Sequence, residues 1–177
     1  QRPLPAEALG ESQKPLSGSL PDADWANIAK ATQTLAAAPI YVDDSAITTV
    51  ADIKAKLRRI RNLGLVVIDY LQLMTSGRNI QNRVQEVSEM TRNLKLMAKE
   101  LDIPVITLSQ LSRSIESRSD HKPLLSDLRE SGSIEQDADI VMFLHREALY
   151  NDQESVNDAK CIVAKNRHGE TGSINLY

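Results

Sequence analysis

The sequence predicts an α/β fold in which a mostly parallel sheet is flanked by helices. Within residues 65–74, four apolar residues, 65–68, lead straight into an acid at Asp69, as is typical of a fully buried strand. An amphipathic helix follows over residues 81–101, and a second apolar strand over residues 103–108. A strand, a helix and a strand at this spacing predict a right-handed βαβ unit with two parallel strands.

Before this unit, the chain is predicted to begin without regular structure and then to form a helix. Residues 1–17 are rich in Pro, Gly and Ser and show no periodicity, so we expect a linker or an unplaced segment there. Asp22 or Asp24 can cap a helix over residues 25–37, which Pro39 ends.

The next two elements are a short strand over residues 40–42 and a helix over residues 49–62, whose apolar side chains recur at helical spacing. The other positions of this helix carry five cations. They could bind phosphate, but a solvated helix face is the more ordinary interpretation of such a pattern. The cations are Lys54, Lys56, Arg58, Arg59 and Arg61.

The C-terminal third of the chain alternates between loops and strands. A polar segment over residues 126–139 precedes an apolar strand over residues 140–144. Two further strand-like runs, 160–165 and 173–177, are separated by a short segment that contains two glycines, which predicts a hairpin at the C-terminus.

Two polar side chains are expected at one edge of the parallel sheet. Asp69 follows the first strand of the βαβ unit and Gln110 follows the second, and α/β sheets bind their ligands at the carboxyl ends of the strands. In nucleotide hydrolases an acid at this place holds Mg²⁺, often through water, whereas an amide can sense the γ-phosphate. Asp69 could also be a simple turn former or helix cap.

Cations in two loops are further candidates for phosphate contact. Arg129 lies in the polar segment, where Gly132 would allow a close approach of the backbone, although an ordinary capped turn explains these residues equally well. Lys165 and Arg167 end a strand, from which they could reach either a neighbour's phosphates or water.

Composition narrows the class of protein. The 177 residues suffice for one domain with a real core, and the single cysteine, Cys161, excludes a disulfide framework and predicts a small buried side chain in a reducing, cytosolic compartment. No signal peptide or membrane-length apolar run is present. A net charge of -3 argues against a general nucleic-acid surface, and the 3% aromatic content disfavours base stacking.

The motifs, taken together, resemble the C-terminal motor domain of the DnaB-type replicative DNA helicases, which has a RecA-like P-loop NTPase core. They occur in the family's order and cover nearly all of residues 18–177. They are DADW at 22–25, IYVDDS at 40–45, VVIDYLQLM at 66–74, LSQLSRSIESR at 108–118, SDLRESGSIEQDADIVMFLHR at 126–146 and KNRHGETG at 165–172.

The resemblance implies a role for each matching residue. Asp69 corresponds to the Walker B acid that binds Mg²⁺, and Gln110 to the glutamine that senses the γ-phosphate of ATP. Lys165 and Arg167 correspond to the pair that enters the neighbouring subunit's ATP site, with Arg167 as the arginine finger. These four residues are the implied nucleotide-binding set, and all but Asp69 are implied to act in catalysis.

The resemblance also implies partners. Arg129, Glu130 and Gly132 fall on the loop that grips single-stranded DNA in the family. The family forms hexameric rings that work with a primase and a helicase loader, so it implies a homo-oligomer that translocates on single-stranded DNA and unwinds the duplex at the replication fork.

One departure from the family limits these implications. No GxxxxGK[ST] loop occurs in the 177 residues, although such a loop cradles the β- and γ-phosphates in this class of enzyme. We therefore expect a RecA-like core truncated on its N-terminal side, which by itself hydrolyses little ATP.

Two alternatives remain open at this point. A shortened, non-catalytic paralogue could serve as an oligomerisation, DNA-binding or loader-binding module. An unrelated Mg²⁺-dependent α/β enzyme would need a second carboxylate near Asp69, for which Asp43 and Asp44 are the nearby candidates, although a turn at the end of a strand explains them better.

Overall fold

A computed structural model describes residues 22–45, 48–128, 132–146 and 159–176. The chain divides into two compact units, one up to Asp44 and one from Ser45 onward. The predicted linker over residues 1–17 lies outside the described residues.

The first unit contains one helix, α1 (Asp22–Ala36), followed by an extended segment. The predicted helix is confirmed, but it begins three residues earlier than expected, so that Asp24 lies within its first turn. The predicted strand over residues 40–42 is wrong. These residues pair with no described strand, and Val42 is 87% exposed. Extended backbone becomes a strand only when a neighbour satisfies its N–H and C=O groups.

The second unit begins with a short helix, α2 (Val50–Leu57). A reciprocal capping box fixes its start, in which Asp52 N–H donates to Thr49 Oγ1 at 3.1 Å and Thr49 N–H donates to Asp52 Oδ2 at 3.1 Å. The helix is five residues shorter than predicted at its C-terminal end, because the chain turns after Leu57 and reaches a left-handed conformation at Asn62.

Three of the five cations predicted on this helix make contacts within the fold. Lys54 and Arg58 both bind the carboxylate of Glu100 on the next helix, and Lys56 Nζ donates to Ser45 Oγ at 3.0 Å. The ion pairs to Glu100 hold the pKa of this carboxyl below its usual range, chiefly through the hydrogen bond from Lys54. This arrangement favours the interpretation of a surface helix over that of a phosphate site.

The predicted βαβ unit is confirmed. Strand β1 (Val66–Ile68) pairs in parallel with β2 (Val105–Thr107), with Val66 opposite Val105, and α3 (Arg83–Leu101) connects them. Asn82 caps the start of α3, where its side chain accepts a hydrogen bond from Val84 N–H at 2.9 Å. Asp102, in the left-handed conformation, ends the helix.

The main core lies between α3 and one face of the β1–β2 pair. Side chains at helical spacing on α3 are buried together with residues from α2 and from a 3₁₀ turn (Leu71–Leu73) that follows β1. The buried members are Val50, Leu71, Met74, Val87, Met90, Leu94 and Met97.

The opposite face of the β1–β2 pair carries apolar side chains that remain exposed. Leu65, Val67, Ile106 and Leu108 are each more than 40% exposed, and Val67 reaches 57%. The prediction of a fully buried strand is therefore wrong for this chain, since the described residues cover only one of the two faces.

A three-stranded antiparallel sheet completes the second unit, in the order β3 (Ile140–His145), β4 (Ala159–Asn166) and β5 (Gly172–Leu176). The predicted C-terminal hairpin is β4–β5. A short helix, α4 (Gly132–Asp137), falls within the predicted polar segment and leads into β3.

The described residues also cover only one face of the antiparallel sheet. Burial alternates along β3, where Val141 and Phe143 pack with Leu128 and Ile162 while Leu144 is 76% exposed. Cys161 is half-buried and not part of a disulfide. Among the described residues, no helix is long and apolar enough to cross a membrane.

Candidate nucleotide site

The structure places Asp69 and Gln110 at the same edge of the parallel sheet. Asp69 is the first residue after β1, and Gln110 is the third residue after β2. Two backbone hydrogen bonds hold the strand ends together, from Leu108 N–H to the Ile68 carbonyl and from Leu71 N–H to the Leu108 carbonyl, both 2.9 Å long. Both predicted residues are exposed at this edge.

Gln72, a side chain that the sequence did not single out, contacts the segment that carries Gln110. The Gln72 amide donates from Nε2 to Ser109 Oγ at 2.9 Å and accepts at Oε1 from Gln110 N–H at 3.2 Å. We call Gln72 with Ser109 and Gln110 the amide clamp. It joins the segment after Asp69 to the segment that carries Gln110.

Arg83, at the start of α3, holds the backbone of this first segment. Its guanidinium donates to the carbonyl of Gln72 at 3.0 Å and to that of Met74 at 3.3 Å, and it forms an ion pair with Glu86. Glu86 accepts a hydrogen bond from Ser76 N–H, and this bond is the main cause of a lowered pKa of the Glu86 carboxyl.

A second polar contact closes the segment that follows Gln110. Leu111 and Leu128 form an antiparallel bridge, and Ser112 N–H donates to the Asp127 carbonyl at 2.7 Å. Arg118 contacts both carboxylate oxygens of Asp127, with 3.1 Å between Nη1 and Oδ1. We call the Arg118–Asp127 pair the ionic clamp.

The ionic clamp is buried on its acidic side, where Asp127 is only 3% exposed. The hydrogen bond from Arg118 is the main cause of a lowered pKa of the Asp127 carboxyl, and a 2.8 Å bond from Leu124 N–H adds to it. Burial acts in the opposite direction but is outweighed. Asp127 is therefore held as a carboxylate at neutral pH.

The structure brings Lys165 and Arg167 together at the C-terminal end of α4. Lys165 Nζ donates to the carbonyls of Glu135 and Ala138, the latter at 2.8 Å. Arg167 Nη2 donates to the Gln136 carbonyl at 3.1 Å. Cations at a helix C-terminus satisfy its last carbonyls and interact favourably with the helix dipole.

Arg167 also lies beside an acid. Its Nη1 is 3.6 Å from Asp139 Oδ1, and Asp139 is in turn bound by Lys95 on α3. The hydrogen bond from Lys95 is the main cause of a lowered pKa of the Asp139 carboxyl. Arg167 is about half exposed, whereas Lys165 is more enclosed.

The predicted DNA-contacting residues are only partly described. Gly132 is the first residue of α4, while Arg129 and Glu130 lie outside the described residues. Within the described ranges, no group of three or more His, Cys, Asp or Glu side chains is placed to hold a metal ion. A metal at Asp69 would depend on other ligands, as Mg²⁺ does when it takes phosphate and water oxygens.

The sequence profile of the DnaB-like helicase C terminal domain matches residues 1–177, the whole chain. The chain belongs to the DnaB-like helicase family. It is 51% identical over 180 residues to the replicative DNA helicase DnaB of Geobacillus stearothermophilus and 50% identical over 179 residues to that of Mycobacterium leprae. Each alignment covers 99% of this chain, which spans 40% and 30% of the length of these two relatives.

Solved structures of this family confirm the fold. A DnaB-like replicative helicase, studied for its interactions with primase, superposes with a TM-score of 0.88 at 40% identity, over 95% of this chain and 42% of that one. An ATPase domain superposes with the same TM-score and identity over 95% of this chain and 62% of its own. The RecA-like core predicted from the sequence motifs is thereby confirmed.

Proposed function

We propose that this chain is part of the motor of an ATP-dependent replicative DNA helicase, which translocates on single-stranded DNA and unwinds duplex at the replication fork. The observation that supports this most directly is the placement of Asp69 and Gln110 after two paired parallel strands. This edge is where an α/β nucleotide hydrolase positions its metal and its γ-phosphate sensor.

The residues at this edge suit ATP with Mg²⁺. Asp69 is exposed and supplies the single carboxylate that Mg²⁺ needs when phosphates and water complete its octahedron. The Gln110 side chain makes no hydrogen bond to any described residue, so its amide is available to a phosphate oxygen. Bound Mg²⁺–ATP would supply the phosphoryl group whose transfer to water drives the motor.

The positions of Lys165 and Arg167 favour a division of roles. Lys165 is engaged by two carbonyls at the C-terminal end of α4, those of Glu135 and Ala138, whereas Arg167 is more exposed and makes longer contacts. In our proposal Arg167 is the finger that enters the ATP site of the next subunit, and Lys165 holds the strand end that carries it. A finger supplied between subunits requires an oligomer, which in this family is a hexameric ring.

We propose that the helicase translocates on single-stranded DNA. Arg129, Glu130 and Gly132 would contact its backbone around the central channel, which suits a chain with few aromatic residues, since backbone contacts are independent of sequence. We also propose that the whole helicase is cytoplasmic. Its proposed partners are a primase and a helicase loader.

The phosphate-cradling loop would come from the remainder of the helicase. The chain spans about 40% of the Geobacillus relative and contains no GxxxxGK[ST] sequence. The exposed apolar faces of both sheets are consistent with additional structure packing on them, because contiguous apolar surface is rarely left to water.

A chimera tests this proposal. The chain would replace the matching stretch of the Geobacillus relative, and ATP hydrolysis and unwinding of a forked duplex would be measured. We expect activity stimulated by single-stranded DNA that falls to background in Asp69→Ala. The matched control is Asp44→Ala, an exposed carboxylate in the first unit, which we expect to retain activity.

Other outcomes would contradict the proposal in different ways. A chimera that assembles and binds DNA but hydrolyses no ATP would favour the non-catalytic module. Loss of activity in Asp44→Ala as well as in Asp69→Ala would favour a two-carboxylate Mg²⁺ site. Tight binding of an ATP analogue by this chain alone would reveal a phosphate cradle within the 177 residues.

A further inference from the structure

Gln72 is placed to control the position of Gln110. Its side chain crosses from the segment after β1 to the segment after β2, and one of its two hydrogen bonds is made to the backbone N–H of Gln110 itself. That N–H lies at the base of the side chain that we propose to contact the γ-phosphate. A shift of the Gln72 amide therefore shifts the Gln110 backbone.

The backbone that carries the Gln72 side chain is in turn held in place. Its backbone carbonyl accepts a 3.0 Å bond from Arg83, and the preceding residue, Leu71, is almost completely buried in the main core. Leu71 N–H also bonds the Leu108 carbonyl across the strand ends. The donor and acceptor of the amide are thus oriented before any ligand binds, as a supporting residue requires.

The backbone at Gln110 is held by two contacts, but its side-chain amide is not. Gln72 bonds its backbone N–H, and the next residue, Leu111, pairs with Leu128. The side chain is exposed and makes no hydrogen bond to a described residue. Small displacements of its backbone consequently move the terminal amide, and misplacement of a reacting or sensing group by about 1 Å can cost about 100-fold in rate.

We propose that Gln72 is a positioning residue for ATP hydrolysis, which acts through Gln110 by fixing the backbone from which that side chain extends. This inference depends on the proposed function. The proposed role of Gln72 differs from that of Asp69, three residues earlier. The Gln72 amide bonds the segment after β2, whereas Asp69 is the proposed metal ligand.

A double-mutant cycle in the Geobacillus chimera tests the proposal. Gln72→Met keeps the length of the side chain but removes both hydrogen bonds. We expect it to lower kcat about tenfold, with the KM for ATP changed less than about twofold. In a Gln110→Ala background the same substitution should change the single-turnover rate by less than about twofold, since the side chain through which it acts is gone.

Two further variants make the result specific. Gln85→Met, the same substitution on the exposed face of α3, should leave kcat unchanged. Gln72→Glu keeps an acceptor for Gln110 N–H, and the Ser109 hydroxyl can donate to its carboxylate, so it should restore most of the rate lost in Gln72→Met.

The outcomes separate this inference from the proposed function. Equal losses from Gln72→Met in both backgrounds, or a loss from Gln72→Glu as large as that from Gln72→Met, would overturn the positioning role and indicate general structural support. A chimera without ATPase activity before any substitution would overturn the proposed function itself, and this inference with it.

Discussion

Two clamps hold the segments that leave the carboxyl ends of β1 and β2, and they use different chemistry. The amide clamp joins Gln72 to Ser109 and Gln110 through neutral hydrogen bonds near the protein surface. The ionic clamp joins Arg118 to a carboxylate that is only 3% exposed.

The two clamps differ in the cost of losing one partner. A neutral amide loses little when one partner moves, because water can replace it. A buried carboxylate without its cation is costly, since neither water nor the protein then compensates its charge. The ionic clamp should therefore contribute more to the stability of the fold than the amide clamp.

The largest expected effect comes from breaking the ionic clamp. In the full chain, Asp127→Asn removes the charge that Arg118 binds and also weakens the acceptor for Leu124 N–H, so we expect a loss of about 2 kcal/mol in the free energy of unfolding, as is usual for a hydrogen bond to a charged group. Urea denaturation measures this. The matched control is Asp120→Asn, which removes an exposed carboxylate 3.9 Å from the same guanidinium and should have little effect.

Low pH should remove the stability difference between the original chain and Asp127→Asn. The pKa of Asp127 is lowered in the folded protein from an ordinary value of 3.8, so its contribution to stability is full above that value and is lost as the pH falls through the folded pKa. We expect the gap in Tm between the original chain and Asp127→Asn to be constant from pH 8 to about pH 5 and to narrow below about pH 4. A gap independent of pH would show that shape, and not charge, stabilises this segment.

Breaking the amide clamp should cost less. Gln72→Met removes two hydrogen bonds from a half-buried site, and we expect a loss of about 1 kcal/mol in unfolding free energy. The loss should not change between pH 4 and 8, since none of the groups in this clamp titrates in that range. A loss as large as that of Asp127→Asn would remove the distinction between the two clamps.

The smallest effect is expected at the surface pairs of Glu100. Glu100→Gln removes the carboxylate that binds Lys54 and Arg58, but all three side chains are partly exposed. We expect a shift in Tm smaller than that of Gln72→Met, which should diminish further in 1 M salt because the ions screen it. A larger shift would mean that α2 depends on this contact for its attachment to α3.

The sequence predicts those features that are periodic or that recur as motifs. The spacing of apolar residues in α3 and the two flanking apolar runs suffice to place Asp69 and Gln110 at one edge of the sheet. The roles of Gln72 and Arg118 could not be found this way, because their partners are set by the approach of segments that are distant or irregular in the sequence. The only sequence signal for Gln72 and Arg118 was that both lie within motifs that match the family.

The errors have a common physical origin. Residues 40–42 have strand-like composition, and β1 has the apolar run of a fully buried strand, but both predictions assumed neighbours that the described residues do not provide. A propensity for extended backbone does not determine whether other parts of the protein pair with the segment or cover its faces.

The shortness of α4 sets the distance between two proposed sites. A helix of six residues is only about 9 Å long. Gly132, one of the proposed DNA contacts, forms one end, and the carbonyls bound by Lys165 and Arg167 lie at the other. One short helix therefore separates the proposed DNA contact from the proposed finger, and the two proposed sites lie about 9 Å apart along its axis.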